Sequence, residues 1–149
     1  MNRSVLYVPI ILLALAAPAS AQMQPGVRAG VSADPDQFFF GGHIETKPLL
    51  EHVTFRPNVE IGFGDDVTLV AINIEFVYSV PIDRDRWRVY FGAGPAAIIS
   101  SSEGDSHGGG GFNLLIGAQH RGGLFTELKV GTIDSPSLKF TVGYAFRKR

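Results

Sequence analysis

The sequence predicts an all-β chain folded as an eight-stranded antiparallel up-and-down barrel. Three observations carry that expectation: short runs that strictly alternate large apolar with small or polar residues, eight such runs separated by turn residues, and no sustained 3.6-residue period after the N-terminal segment. The clearest run is LKFTVGYAF, 138–146. Leu138, Phe140, Val142, Tyr144 and Phe146 share one parity, and Lys139, Thr141, Gly143 and Ala145 the other. A period of two belongs to a strand with two unlike faces. At roughly 3.3 Å per residue such a run is about 30 Å long, enough to cross a hydrocarbon core at a tilt of about 45°.

The N-terminus reads differently. Arg3 supplies a positive charge, residues 5–17 are mostly apolar, and Ala19-Ser20-Ala21 offers small residues to a signal peptidase. The apolar run falls short of the roughly 20 residues that a spanning helix needs. A cleavable signal peptide is therefore expected over 1–21, followed by one barrel domain over 22–149.

The runs then follow in order. The first, 26–32, sets Val27, Ala29 and Val31 against Arg28, Gly30 and Ser32. ADPD at 33–36 is a turn sequence. The second, 37–46, sets Phe38, Phe40 and Ile44 against Phe39, His43 and Glu45, and Gly41-Gly42 suggests a bulge. The third, 54–63, sets Phe55, Val59, Ile61 and Phe63 against Arg56, Asn58, Glu60 and Gly62. Pro57 removes a ladder donor there, which suggests a bulge or a later strand start. After Gly64-Asp65-Asp66 the fourth, 67–78, opposes Val70, Ile72, Ile74, Phe76 and Tyr78 to Ala71, Asn73 and Glu75.

VPIDRDR at 80–86 is a charged turn. The fifth run, 87–95, sets Trp87, Val89, Phe91 and Ala93 against Arg88, Tyr90, Gly92 and Gly94. SSSEGDSHGGG at 100–110 reads as one long low-complexity loop. The sixth, 111–120, sets Phe112, Leu114, Ile116 and Ala118 against Asn113, Leu115, Gly117 and Gln119. The seventh, 124–131, sets Leu124, Thr126, Leu128 and Val130 against Phe125, Glu127 and Lys129, and IDSPS leads into the eighth.

Composition narrows the function classes. A chain of 149 residues holds one domain, and a formal charge of −1 offers no electrostatic footprint for nucleic acid. The absence of cysteine excludes a disulfide framework, a thiolate metal site and a lipidated N-terminal cysteine.

Charge decides which parity faces out. The apolar parity carries no Asp, Glu, Lys or Arg, whereas the other collects Arg28, Glu45, Arg56, Glu60, Glu75, Arg88, Glu127, Lys129 and Lys139. Turned to lipid at the midplane, each Arg or Lys would cost about 2–4 kcal/mol, against a whole-domain stability of roughly 5–15 kcal/mol. These nine are expected to line a narrow lumen as a charge network in which each ion finds a partner. Glycines on the same parity (Gly30, Gly41, Gly62, Gly92, Gly94, Gly117, Gly143) make room for the long side chains. Rings near the run ends on the apolar parity, such as Phe38, Phe63, Tyr78, Trp87 and Phe112, suit aromatic girdles. The expected architecture is thus a transmembrane barrel.

With these runs in place, the chain resembles the OmpA/OmpX-like small eight-stranded outer-membrane barrels of Gram-negative bacteria. Phe140, Val142, Gly143, Tyr144 and Phe146 look like the aromatic carboxy-terminal signal read by the barrel-assembly machinery. Family members commonly end on that aromatic, whereas Arg147, Lys148 and Arg149 follow it here. The resemblance implies outer-membrane location, periplasmic termini, contact with outer-membrane lipids and with the assembly machinery, and a monomer.

Chemistry is not expected. Ser106 and His107 are neighbours that a strand would point to opposite faces, the surrounding glycines make a poor platform for catalytic geometry, and no His-x-Ser pair sits on a strand. His43 and Glu45 share a face but have no third metal ligand. His52 and His120 fall in connecting links, and no Lys-Ser/Thr follows Gly108–Gly111, so no phosphate loop forms. The reading is a non-enzymatic outer-membrane barrel with a charge-plugged lumen, a structural or interaction role, and no cofactor. The alternatives are a periplasmic lipocalin-like binder and an outer-membrane lipid-modifying enzyme.

Overall fold

The structure, a computed structural model, describes residues 23–34, 36–46, 48–64, 67–81 and 86–146. The expected signal peptide and Arg147-Lys148-Arg149 lie outside the described residues, as do Pro35, Asp65, Asp66 and 82–85.

Eight strands follow one another: β1 (Gln24–Ala33), β2 (Gln37–Glu45), β3 (Val53–Gly64), β4 (Val67–Ser79), β5 (Trp87–Ser102), β6 (Asp105–His120), β7 (Leu124–Ile133) and β8 (Leu138–Ala145). Each pairs antiparallel with its neighbours in the chain, and β8 returns to pair with β1 from Gly26↔Ala145 to Ala33↔Leu138. The sheet closes, so no strand is left with an unpaired edge. The β1–β2, β3–β4, β5–β6 and β7–β8 turns lie at one end of the barrel, here the hairpin end. The chain enters β1 and leaves β8 at the opposite, terminal end.

Three local expectations are corrected. Residues 100–110 are not a loop. They form the outer arms of the longest hairpin, in which β5 and β6 pair without a break from Trp87↔His120 to Ser102↔Asp105. The turn is only Glu103-Gly104, both at positive φ (47° and 84°), the left-handed pattern that suits a two-residue hairpin. Gly41-Gly42 is no bulge, since the β1–β2 register runs straight through Arg28↔Gly41 and Val27↔Gly42. Gly41 serves close approach instead: a Cβ there would lie 2.0 Å from the Val59 carbonyl oxygen.

Nor does Pro57 interrupt β3, where it pairs in register with Ile74, although the β2–β3 ladder stops one residue short of it at His43↔Asn58. Pro95 leaves a mark as well. The β4–β5 ladder skips between Asn73↔Ala96 and Phe76↔Ala93, where the ring has no N–H to offer.

Side-chain placement inverts the usual rule. The buried set holds sixteen polar or charged residues against ten hydrophobic ones, among the described residues. Val31, Phe38, Phe91, Leu114, Ile116 and Phe140 point outward and are about half exposed. A soluble monomer rarely shows a contiguous apolar surface of more than a few hundred Å². Here the apolar parity of all eight strands forms such a surface right around the barrel.

Candidate functional site

The lumen is where this inverted pattern concentrates its chemistry. Arg28 enters from β1, Arg56 and Glu60 from β3, Glu75 from β4, Glu127 and Lys129 from β7, and Lys139 from β8. Each sits on the inward parity of its strand and is at most 3% exposed. Strand alternation alone aims them at one axis.

Glu60 is held by three cations. Its Oε1 accepts from Arg28 Nη1 at 3.2 Å and from Lys129 Nζ at 3.4 Å, and its Oε2 from Lys139 Nζ at 2.5 Å. Glu127 Oε2 accepts from Arg56 Nη2 at 2.6 Å and from the Tyr90 hydroxyl at 2.9 Å. Its Oε1 lies 3.7 Å from Arg28 and 3.8 Å from Lys129. Glu75 pairs with Lys129 and stands 3.9 Å from Arg56. Lys129 thus touches all three carboxylates, and five strands are tied together across the axis.

Aromatic rings line the cations that the carboxylates leave partly uncovered. Arg56 lies 4.8 Å from the Tyr90 ring centroid, Arg28 5.5 Å from Phe125, and Lys139 5.3 Å from Phe39. The His43 ring meets Phe125 edge-on at 5.3 Å. In a low-dielectric lumen these contacts count for more than on a wet surface.

A neutral chain of amides runs alongside the ions. Asn113 Nδ2 donates to Asn73 Oδ1 at 2.9 Å, and Asn73 Nδ2 donates to Asn58 Oδ1 at 2.8 Å, linking β6, β4 and β3. At the hairpin end, Gln37 Nε2 donates to the Val67 carbonyl at 3.2 Å, and Ser135 and Pro136 are buried beneath the β7–β8 turn. Small apolar residues fill the remaining space in two patches. Leu69, Ala71, Ala96 and Ile98 form one, Val77, Tyr90 and Leu115 the other.

Seven of the nine charges read from the sequence meet in this network. Glu45 is half-buried, with Oε2 enclosed and no ion pair among the described residues. Arg88 is a correction: it shares the inward parity but sits at the terminal end of β5, exposed. Parity sets the direction of a side chain, and height along the strand decides whether that direction is sealed. Without Arg88, the four cations Arg28, Arg56, Lys129 and Lys139 face the four carboxylates of Glu45, Glu60, Glu75 and Glu127.

Sequence reasoning did not single out Tyr90 or the three asparagines as a connected set. Their signal was polar character on the inward parity of a central strand. At the carboxy-terminal end, Phe140, Val142, Tyr144 and Phe146 project outward and Gly143 inward, where a Cβ would meet the Phe125 ring at 2.3 Å.

Ser106 and His107 are not brought together as a nucleophile and its base. The Ser106 hydroxyl lies 3.2 Å from that of Ser101, while His107 is in register with Ser100 on the other face of the hairpin. Among the described residues no three His, Asp or Glu gather to hold a metal ion.

No family model matches the chain, and no curated protein sequence does either. Solved structures do. The N-terminal β-barrel domain of Pseudomonas aeruginosa OprF aligns with a TM-score of 0.63 at 15% identity, over 84% of this chain and 97% of that one. Neisserial surface protein A (NspA) aligns with a TM-score of 0.63 at 13% identity, over 83% of this chain and 96% of that one. Both are eight-stranded outer-membrane barrels. At such identity the likeness shows the fold alone, a small eight-stranded up-and-down barrel.

Proposed function

We propose that this chain is an outer-membrane barrel whose lumen is plugged by paired charges, and that its role is structural or interactive and not catalytic. One observation carries the reading: ionised side chains meet on the axis while the apolar parity of every strand is turned outward. A lipocalin-like binder needs the reverse, an apolar lumen around its ligand and a wettable exterior. The aligned outer-membrane barrels support the location. A lipid-modifying activity would need a nucleophile oriented by a base, and Ser106 and His107 occupy opposite faces of their strand.

In this reading the partners are outer-membrane lipids around a monomeric barrel and, during biogenesis, the barrel-assembly machinery. The run Phe140, Val142, Tyr144 and Phe146 would present the assembly signal on an outward, accessible face.

Cell fractionation combined with gel mobility before and after heating tests the proposal. The expected result is recovery in the outer-membrane fraction and a folded band that shifts on boiling. Recovery in the soluble periplasm without detergent would overturn it in favour of the binder.

A further inference from the structure

The hairpin end holds a cavity of about 270 Å³, at the barrel mouth between β4, β5, β6 and the β7–β8 turn. Leu69 and Ile98, both buried, give it an apolar floor, and Val67 adds to the wall. Ser100 and His107, paired in register across the β5–β6 hairpin, share the inward side with Ile98. Asp134 reaches in from the β7–β8 turn. Its Oδ2 accepts from the Gly110 amide at 3.2 Å, and a Cβ on Gly109 would collide with the same oxygen. Gly109 stands opposite the buried Ile98, so that missing side chain would point inward. The carboxylate therefore lies over the inward face of β6, at the edge of the cavity, in space that only a glycine leaves open.

The charge around this mouth has one sign. Asp34, Asp36, Glu103, Asp105 and Asp134 are exposed at the hairpin end, and among the described residues no exposed Lys or Arg accompanies them. Such a field repels an anion and draws a cation. A bare metal ion is poorly served. Among the described residues no three His, Asp or Glu gather to ligate one, and the side chains of Leu69 and Ile98 offer it no oxygen. An apolar floor beneath a carboxylate suits a small organic amine instead. Its hydrocarbon part leaves water against Leu69 and Ile98 while its ammonium meets Asp134, with the Ser100 hydroxyl and the His107 imidazole as further acceptors. An apolar cavity of roughly 150 Å³ holds benzene, so this one has room for a ring and a short chain.

We propose that the mouth of the barrel at the hairpin end binds a small primary amine bearing one apolar ring, with the ring on Leu69 and Ile98 and the ammonium on Asp134. This goes beyond the structural or interactive role above, and it holds whether the wall meets lipid or water.

The test uses the full chain, isotope-labelled and folded in detergent micelles, with phenethylamine as the probe and phenethyl alcohol as its uncharged counterpart. The Gly108 and Gly109 amides, which line the cavity, are followed by NMR, and half-saturation is referred to free ligand in the aqueous phase. Phenethylamine is expected to shift both amides saturably and to bind about fivefold more tightly than the alcohol, the upper range for an exposed ion pair. Asp134→Asn, whose amide oxygen can still accept from Gly110, is expected to remove that preference. Ser100→Phe fills the cavity and is expected to abolish the saturable shift with both ligands. Heat-modifiable mobility checks that each variant folds. The absence of a saturable shift with the amine overturns the site, as does equal affinity for amine and alcohol. A preference that survives in folded Asp134→Asn, or a shift that persists in folded Ser100→Phe, overturns it too. Displacement of the amine by equimolar calcium chloride would overturn it in favour of a metal-ion site.

Discussion

Arg56 on β3 and Glu127 on β7 form a 2.6 Å ion pair between strands that are four places apart around an eight-strand closed sheet. That is the full width of the barrel. The pair is therefore a crossbar, and its partners cannot separate without the wall deforming. Tyr90 donates to the same carboxylate oxygen, and its ring lies under the Arg56 guanidinium, so both ends of the bar are held.

Removing one end should be costly. Glu127→Gln leaves Arg56 and Arg28 facing a neutral amide in a sealed lumen, and a loss of about 3–5 kcal/mol is expected. Urea unfolding followed by gel mobility measures it. The double variant R56M/E127Q should lose less than the two single variants summed, since it leaves no cation stranded at that position. A Glu127→Gln barrel within about 1 kcal/mol of wild type would show that the crossbar does not bear on stability.

Two glycines on neighbouring strands should respond in opposite ways. An ideal Cβ at Gly94 would lie 1.7 Å from the Ile74 carbonyl oxygen, a backbone atom with nowhere to go. Gly94→Ala is expected to abolish the folded, heat-modifiable band. A Cβ at Gly108 meets nothing within 4 Å, so Gly108→Ala should change stability by less than about 0.5 kcal/mol. Similar behaviour in the two variants would contradict the close β4–β5 approach.

The ion-filled axis predicts electrical silence. Purified protein in planar bilayers should not hold a steady open pore, because opening one requires several buried ion pairs to part together. Sustained large conductance would refute the plug.

A glutamate-specific protease should distinguish hairpin from loop. Of the glutamates in the sequence, Glu60, Glu75 and Glu127 are buried and Glu45 is half-buried within β2, while Glu51 and Glu103 are exposed in turns. Cleavage of the folded protein is expected after 51 and 103 only. Mass spectrometry of the fragments reads this directly, and early cutting after Glu60 or Glu75 would contradict the sealed lumen.

Alternation made the strands and their inward faces legible, because a period of two survives without knowledge of any neighbour. Arg56, Glu60 and Glu127 could thus be assigned to one lumen before any distance was known. Height along the axis was not legible. Arg88 has the same parity as Tyr90, yet two residues separate an exposed rim from a sealed interior. The hairpin arms at 100–110 were hidden for another reason. Serines and glycines there carry no hydrophobic alternation, since that part of β6 is exposed on both faces and has no unlike sides to encode. Pro57 misled in the opposite direction: the strand runs on through it in register with β4, and the missing donor shows only on the β2 side, where the ladder stops at His43↔Asn58.

The order in which the charges arrive has a consequence for how the molecule is made. Glu60 finds Lys129 only 69 residues later and Lys139 only 79 residues later. A nascent sheet ending at β4 would hold Glu60 and Glu75 beside Arg28 and Arg56 but with neither Lys129 nor Lys139 opposite them. If the barrel enters a bilayer as proposed above, partial insertion would carry carboxylates still short of two of their cations, and that penalty lifts only when the last two strands arrive and the seam with β1 zips shut. The same ions that fasten the finished cylinder would then act earlier as a timer on its assembly.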